Sequence, residues 1–169
     1  MIIRDERPGD VEAIDALTQL AFAPMPFGDG TEAPIIRQLR ADGDLTLSLV
    51  ALKDDEIVGH VAFSPAKIGN APGLRFGLGP ISVTPDLQKQ GIGSALIKTG
   101  LERLRAMNAL ECVLIGNPAV YGPMGFVSDG SLTYGSLDPK LVQRCLINGA
   151  PTGGEVRFAS AFDMDQTGT

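Results

Sequence analysis

The run Ile81-Ser82-Val83-Thr84-Pro85-Asp86-Leu87-Gln88-Lys89-Gln90-Gly91-Ile92-Gly93-Ser94-Ala95-Leu96 constrains this chain most. An apolar, strand-like stretch ends at Pro85. A loop carrying Gly91 and Gly93 follows, and an apolar-periodic helix begins at once. A strand here feeds a helix through a short loop, one step in an element order β-α-α-β-β-β-α-β-α-β plus a C-terminal strand that is α/β with a mixed sheet. The junction also points several N–H groups and the positive end of a helix dipole at one spot, which suits a phosphate or pyrophosphate. Glycine has no Cβ, so Gly91 and Gly93 let a ligand approach the backbone.

The flanking sequence fills in the rest. Ile2–Arg4 reads as a strand, and Asp10 as the N-cap of a helix carrying Val11, Ile14, Leu17 and Ala21. Phe22 to Gly30 is a loop broken by Pro24, Pro26, Gly28 and Gly30. Thr31 caps a second helix with Ile35, Ile36 and Leu39 on its apolar face and Pro34 tolerated in its first turn. Leu45–Leu52 and Ile57–Ser64 form a hairpin across Lys53-Asp54-Asp55-Glu56. Leu74–Thr84 is a strand interrupted at Gly79-Pro80, where proline cannot donate to the ladder and a bulge is expected. A helix over about Gln90–Met107 buries Ile92, Leu96, Leu101 and Leu104, and Cys112–Ile115 is a buried strand. Val127 ends a short strand after Gly125. Asp138-Pro139 starts a helix over Pro139–Leu146, stopped by Asn148-Gly149. Glu155–Phe162 is a last strand. The expectation is one domain over residues 1–162, with 163–169 as a frayed tail.

Composition excludes several classes. The net charge is −6, whereas nucleic-acid backbones call for clustered lysine and arginine. It favours a basic acceptor only weakly, since net charge says little about one pocket. Neither a membrane-spanning run nor a signal-peptide pattern is present; the N-terminus is charged too early. Cys112 and Cys145 are isolated and have no histidine beside them, so no metal site is expected and a reduced, cytoplasmic setting is the default. Cys112 reads as a small buried hydrophobe.

The finer pattern of the loop selects among phosphate binders. Gly93-Ser94-Ala95-Leu96-Ile97-Lys98-Thr99 has Ile97 where a Walker loop needs its second glycine, and Gly91-Ile92-Gly93-Ser94-Ala95-Leu96 lacks the third glycine of a dinucleotide fingerprint. A nucleotide-dependent enzyme is disfavoured accordingly. Gln88-Lys89-Gln90-Gly91-Ile92-Gly93 instead resembles the [Q/R]-x-x-G-x-[G/A] acetyl-CoA loop of the GCN5-related N-acetyltransferase (GNAT) family. A second block, Val113-Leu114-Ile115-Gly116-Asn117-Pro118-Ala119-Val120-Tyr121-Gly122-Pro123-Met124-Gly125-Phe126, resembles the family segment in which a tyrosine shortly before a Gly-Phe pair lies beside the CoA sulfur. The specific matches run from Leu78 to Phe126. The likeness is to a bacterial single-domain subgroup whose substrates are mostly unassigned.

The resemblance implies a GNAT-like (acyl-CoA N-acyltransferase) fold: a mixed, mostly antiparallel central sheet flanked by helices, with a bulged strand before the CoA loop. It implies transfer of an acetyl group from acetyl-CoA to a primary amine by direct attack in a ternary complex. Freed backbone groups of Ile81 and Val83 would pair with pantetheine like an added strand, with the Val83 N–H near the thioester oxygen. Gln88, Gln90, Gly91, Ile92, Gly93 and Ser94 would cradle the pyrophosphate; Lys89 pairs with a phosphate or is merely solvated. Tyr121, a phenol of ordinary pKa about 10, is the general-acid candidate, against the alternative of a packing tyrosine. Asn117 bonds pantetheine or shapes the turn before Pro118. For the general base, Glu32 at the second helix start, the lone His60 and the weaker Asp29 stay open. Phe22, Met25 and Phe27 line an acceptor pocket or staple the loop. The alternative function is a catalytically silent acyl-CoA-binding or regulatory module. The amine acceptor is not legible, and homodimerisation stays open.

Overall fold

The computed structural model describes residues 1–23 and 30–163. The chain runs β1 (Ile2–Asp5), α1 (Val11–Phe22), α2 (Glu32–Asp42), β2 (Leu47–Lys53), β3 (Glu56–Ile68), β4 (Arg75–Val83), α3 (Ile92–Ala106), β5 (Glu111–Ile115), α4 (Pro118–Tyr121), β6 (Leu132–Thr133), β7 (Val142–Leu146) and β8 (Gly154–Arg157). The main sheet order is β1-β2-β3-β4-β5-β7, with β8 pairing to the far end of β3 and β6 to β8. The β4–β5 and β6–β8 pairs are parallel and the others antiparallel, so the sheet is mixed and mostly antiparallel, as expected. Among the described residues no helix is long and apolar enough to cross a membrane.

The early elements follow their local signals. Ile14, Leu17 and Ala21 are buried at helical spacing in α1; Ala33, Ile35, Ile36 and Leu39 are buried in α2. Gly43 ends α2 at φ +75°, a conformation glycine adopts without Cβ strain. Asp54 and Asp55 take positive φ and close the tight β2–β3 hairpin, with Lys53 opposite Glu56. Asp10 departs from expectation: its carboxylate accepts the Arg7 N–H at 2.7 Å and binds Arg4 at 2.6 Å. It secures the 3-10 turn Pro8–Asp10 to β1 and makes no capping bond to α1.

The expected bulge sits at Gly79-Pro80. Val61 pairs with Ile81 but Phe63 pairs with Leu78, so two steps along β3 match three along β4. On its other edge β4 pairs with β5 only from Arg75↔Glu111 to Gly77↔Val113. Beyond Gly77 the two strands part, and a gap opens between Leu78–Val83 and Leu114–Ile115.

Helix α3 spans Ile92–Ala106 and packs on the opposite face of the sheet from α1 and α2, through Ile92, Leu96, Ile97 and Leu104, against Leu49, Val61, Phe63 and Phe76. Leu101 is only partly buried. Gly100 lets the helix close on the sheet: a Cβ there would lie 2.3 Å from the Phe63 ring.

The C-terminal third corrects the sequence reading. The expected helix Pro139–Leu146 is a single 3-10 turn, Pro139–Leu141, capped by Asp138, followed by strand β7. The cap and proline initiate a turn as their chemistry dictates, but the free edge of β5 then captures Val142–Leu146 in antiparallel pairing. The pairing brings Arg144 to Glu111 at 3.2 Å, while Arg75 holds the other oxygen of Glu111 at 2.9 Å, all three nearly inaccessible. The expected strand Glu155–Phe162 is strand only over Gly154–Arg157 and turns into a 3-10 segment at Ser160–Asp163. The short strand at Val127 is a single bridge to Arg144, and β6 was not anticipated.

Candidate active site

At the strand–loop–helix junction, Gly91 caps α3 at φ +89° and Lys89 takes φ +62°. The first N–H to find a helical partner is that of Ala95, at the Gly91 carbonyl, 3.0 Å away. Among the described residues, no backbone N–H from Lys89 to Ser94 has a hydrogen-bond partner in the protein. A Cβ on Gly91 would meet nothing within 4 Å, and one on Gly93 would only graze Ile81 and Val83 at 3.8 and 3.9 Å. The packing of the chain itself leaves the space over this loop open. Donors without partners, a helix N-terminus and an open approach fit a pyrophosphate.

The loop is tied back to β4. The Gln88 amide donates to the Val83 carbonyl at 3.1 Å, and the Gln90 amide reaches the Asp86 carbonyl at 3.4 Å. Both side chains therefore brace the loop. The Thr84 N–H goes to the Val58 carbonyl at 2.9 Å, toward β3. Strand alternation then turns the backbone groups of Ile81 and Val83 the other way, toward the gap left by β5.

A cavity of about 370 Å³ occupies that gap. One wall is Leu78, Gly79, Pro80 and Ile81; facing it are Leu114, Ile115 and Tyr121; Glu32 and Phe22 come from the helices above. The structure thus brings together Ile81, Tyr121 and Glu32, which lie far apart in sequence. Val83 is not among the lining residues. Tyr121 sits on α4, started by Asn117, whose Oδ1 accepts the Ala119 N–H at 3.0 Å. That commits the Asn117 oxygen to the turn. The Tyr121 ring meets Phe126 edge-on and fits against Gly116, where a Cβ would lie 2.6 Å from it. Burial pushes the Tyr121 hydroxyl above its ordinary pKa of 10, so it carries its proton at neutral pH.

His60 lies elsewhere. It is fully buried, with Nε2 2.8 Å from the Ser48 hydroxyl, and Ser48 in turn donates to Glu6, which Arg40 also binds. Burial, with Arg40 adding to it and Glu6 opposing, lowers its pKa to about 4. Its burial and its absence from the cavity lining leave it without access to an acceptor amine. Asp29, Met25 and Phe27 lie outside the described residues; Phe22 lines the cavity. Sequence reasoning missed Tyr134, Phe158 and Phe162, which complete the cavity from the C-terminal segment. The one available signal was the aromatic spacing in Phe158-Ala159-Ser160-Ala161-Phe162. Among the described residues no cluster of histidine, cysteine and carboxylate side chains could hold a metal.

A split parallel strand pair with a tyrosine in the gap and an N–H-rich helix start beside it defines an acyl-CoA-dependent acyltransferase. The sequence profile of the Acetyltransferase (GNAT) family matches residues 14–126, and the chain belongs to that family. It is 36% identical over 127 residues to the uncharacterized N-acetyltransferase YhbS of Escherichia coli K12, covering 75% of this chain and 73% of that one. Among solved structures, a GNAT family acetyltransferase from Brucella melitensis in complex with acetyl-CoA is 40% identical with a TM-score of 0.85, covering 96% of this chain and 97% of that one. The crystal structure of E. coli YhbS in complex with CoA is 30% identical with a TM-score of 0.87, covering 96% and 91%. The chain is an acyltransferase of a family that uses acetyl-CoA.

Proposed function

We propose that this chain transfers the acetyl group of acetyl-CoA directly to a primary amine within a ternary complex, and that residues 1–162 act as one domain in doing so. The observation that carries this reading is the opening between β4 and β5: Ile81 and Tyr121 line the cavity in it, and the strand that forms one wall runs on into the unpaired N–H groups at the start of α3. Acetyl-CoA, bound in the complex of the related Brucella melitensis acetyltransferase, supplies an acetyl group activated as a thioester. The backbone from Lys89 to Ser94 holds its pyrophosphate, helped by the α3 dipole. Gln88 and Gln90 keep that loop in place, and Lys89 adds a positive charge. The unpaired edge of β4, through the Ile81 backbone and the Val83 N–H, orients the pantetheine arm as an added strand would, with the Asn117 turn at its flank; the Val83 carbonyl is taken by Gln88. The Val83 N–H offers a donor to the carbonyl oxygen.

Tyr121 holds a proton on its Oη and delivers it to the departing sulfur. Glu32 is the carboxylate in the cavity that can take the proton an amine of pKa about 10.4 must lose.

The test is Gly91→Glu, compared with wild type by calorimetric titration of acetyl-CoA. The new carboxylate enters the open space over the loop and repels pyrophosphate. At φ +89° any side chain also costs about 1–2 kcal/mol of backbone strain, so Gly91→Ala is the control: binding should be lost in Gly91→Glu and largely kept in Gly91→Ala, both folded. In the wild type, acetyl-CoA at ~100 times its dissociation constant should raise stability by about 2.7 kcal/mol. Unchanged affinity in the folded variant would place the acyl donor elsewhere. Binding without CoA release from a broad panel of amines would favour the silent module.

A further inference from the structure

Gln143 on β7 is fully buried, and only one end of its amide is satisfied. Its Nε2 donates to the Gly116 carbonyl at 2.9 Å, while among the described residues its Oε1 has no hydrogen-bond partner. Half-satisfying a buried amide costs free energy that an apolar side chain of similar length, such as methionine, would not incur. What the amide contributes is therefore the bond it makes.

That bond falls where β5 ends and the turn carrying Tyr121 begins. Gly116 is tied to the β7 side twice: its N–H donates to the Leu141 carbonyl at 3.0 Å, and its own carbonyl accepts from Gln143. Gln143 stands opposite Leu114 in the β5–β7 register, so its side chain shares the sheet face on which Leu114, Tyr121 and Phe126 pack. The Tyr121 ring lies against Gly116, where a Cβ would stand 2.6 Å from it. Helix α4 is a single turn, Pro118–Tyr121, too short to hold a direction of its own. Its direction is set at its ends, by Gly116 and the Asn117 cap before it and by the Phe126 N–H on the Tyr121 carbonyl, 3.2 Å, after it.

We propose that Gln143 is a positioning residue for acetyl transfer. By fixing the Gly116 carbonyl it sets the surface against which the Tyr121 ring rests, and so where the phenol hydroxyl meets the departing sulfur. Gln143 does not line the cavity, so it acts through Tyr121. The inference rests on the role proposed above for Tyr121 and names what holds that residue. Misplacing a reacting group by about 1 Å is enough to cost as much as ~100-fold in rate, so a single amide bond at this point has a large lever.

The test has a spectroscopic arm that needs no acceptor. The chain has two tyrosines and no tryptophan, so in a Tyr134→Phe parent the near-ultraviolet circular dichroism above the phenylalanine bands comes from Tyr121. Adding Gln143→Met, which keeps length and loses the donor, should weaken that signal with the far-ultraviolet spectrum unchanged. Gln143→Glu is the second variant, and it decides the matter if Gln143→Met does not fold. A protonated carboxyl donates the same bond and an ionised one cannot. The Tyr121 signal of Gln143→Glu should match the parent's in acid and weaken as the new group ionises, while the parent's stays constant.

The kinetic arm uses CoA release in the chain with both tyrosines. Gln143→Met should lower kcat ~10- to 100-fold with acetyl-CoA affinity nearly unchanged, and should cost nothing further in a Tyr121→Phe background. An unchanged Tyr121 signal overturns the proposal, as does a kcat loss of the same size with and without the Tyr121 hydroxyl. Lower stability to urea with signal and kcat intact would make Gln143 a packing residue. Absence of CoA release from every amine would instead strike the acetyl-transfer reading, and the spectroscopic arm would still decide whether Gln143 holds Tyr121.

Discussion

At the scale of single residues, the roles proposed for Tyr121 and Gly91 are separable. Tyr121 is held from two sides, by Gly116 and by Phe126, so its hydroxyl can be removed without disturbing its ring. Tyr121→Phe should lower kcat on the order of 10²-fold when departure of the thiolate limits the rate, with acetyl-CoA affinity nearly unchanged. Steady-state kinetics across the basic pH range check this. Wild-type turnover with an unaltered profile would make Tyr121 a packing residue and leave water or the amine itself to protonate the sulfur. The role proposed for Gly91 is in binding and not in proton transfer, because its position over the loop is open space.

At the scale of elements, α3 matters because it fixes where the unpaired N–H groups sit relative to β4. Its closeness to the sheet depends on Gly100. Gly100→Ala gains up to about 1 kcal/mol of helix propensity. It also drives a methyl into Phe63, which is fully buried and has nowhere to move, at a cost of about 1–3 kcal/mol. Overpacking should win. Urea unfolding is expected to show a lower midpoint with an unchanged m-value, together with weaker acetyl-CoA binding as the helix start shifts. A variant as stable as wild type would mean that α3 can lift from the sheet without penalty. The β7 segment makes the complementary point. Its cap and proline are genuine local signals, but they govern only Pro139–Leu141; pairing with β5 and the Arg75–Glu111–Arg144 cluster decide the rest.

At the scale of the whole molecule, a polar chain runs inward from the partly buried Arg40 and Glu6 to the buried Ser48 and His60, joining α2, the end of β1, β2 and β3. It gives folding a pH dependence of definite sign. His60 titrates near 4 when folded and near 6.5 when unfolded, so between these values the unfolded chain binds the additional proton. The stability His60 confers is complete above about pH 6.5 and is lost as pH falls toward 4. The full difference is on the order of 3 kcal/mol. Glu6 and Asp10, both held below their ordinary values, weaken the fold in the same direction but only from about pH 4.5 downward. Stability measured by denaturant between pH 4.5 and 6.5 should therefore decline in the wild type and stay flatter in His60→Leu. Equal slopes in the two proteins would remove His60 as the cause.

What the sequence by itself determined is what short-range chemistry controls. The strand-loop-helix at Ile81–Leu96, the two-aspartate hairpin, the bulge at Gly79-Pro80 and the Asn117 cap are each set by residues within a turn or two of one another. Those residues carried the family and the acyl donor. Tertiary structure alone decided that Ile81, Tyr121 and Glu32 share a cavity, that His60 does not line it, and that Tyr134, Phe158 and Phe162 complete it from the C-terminal segment. It also turned an expected helix into β7. Each of these depends on pairing between strands remote in sequence, where burial and edge hydrogen bonds outweigh the few tenths of a kcal/mol per residue that separate helix from strand.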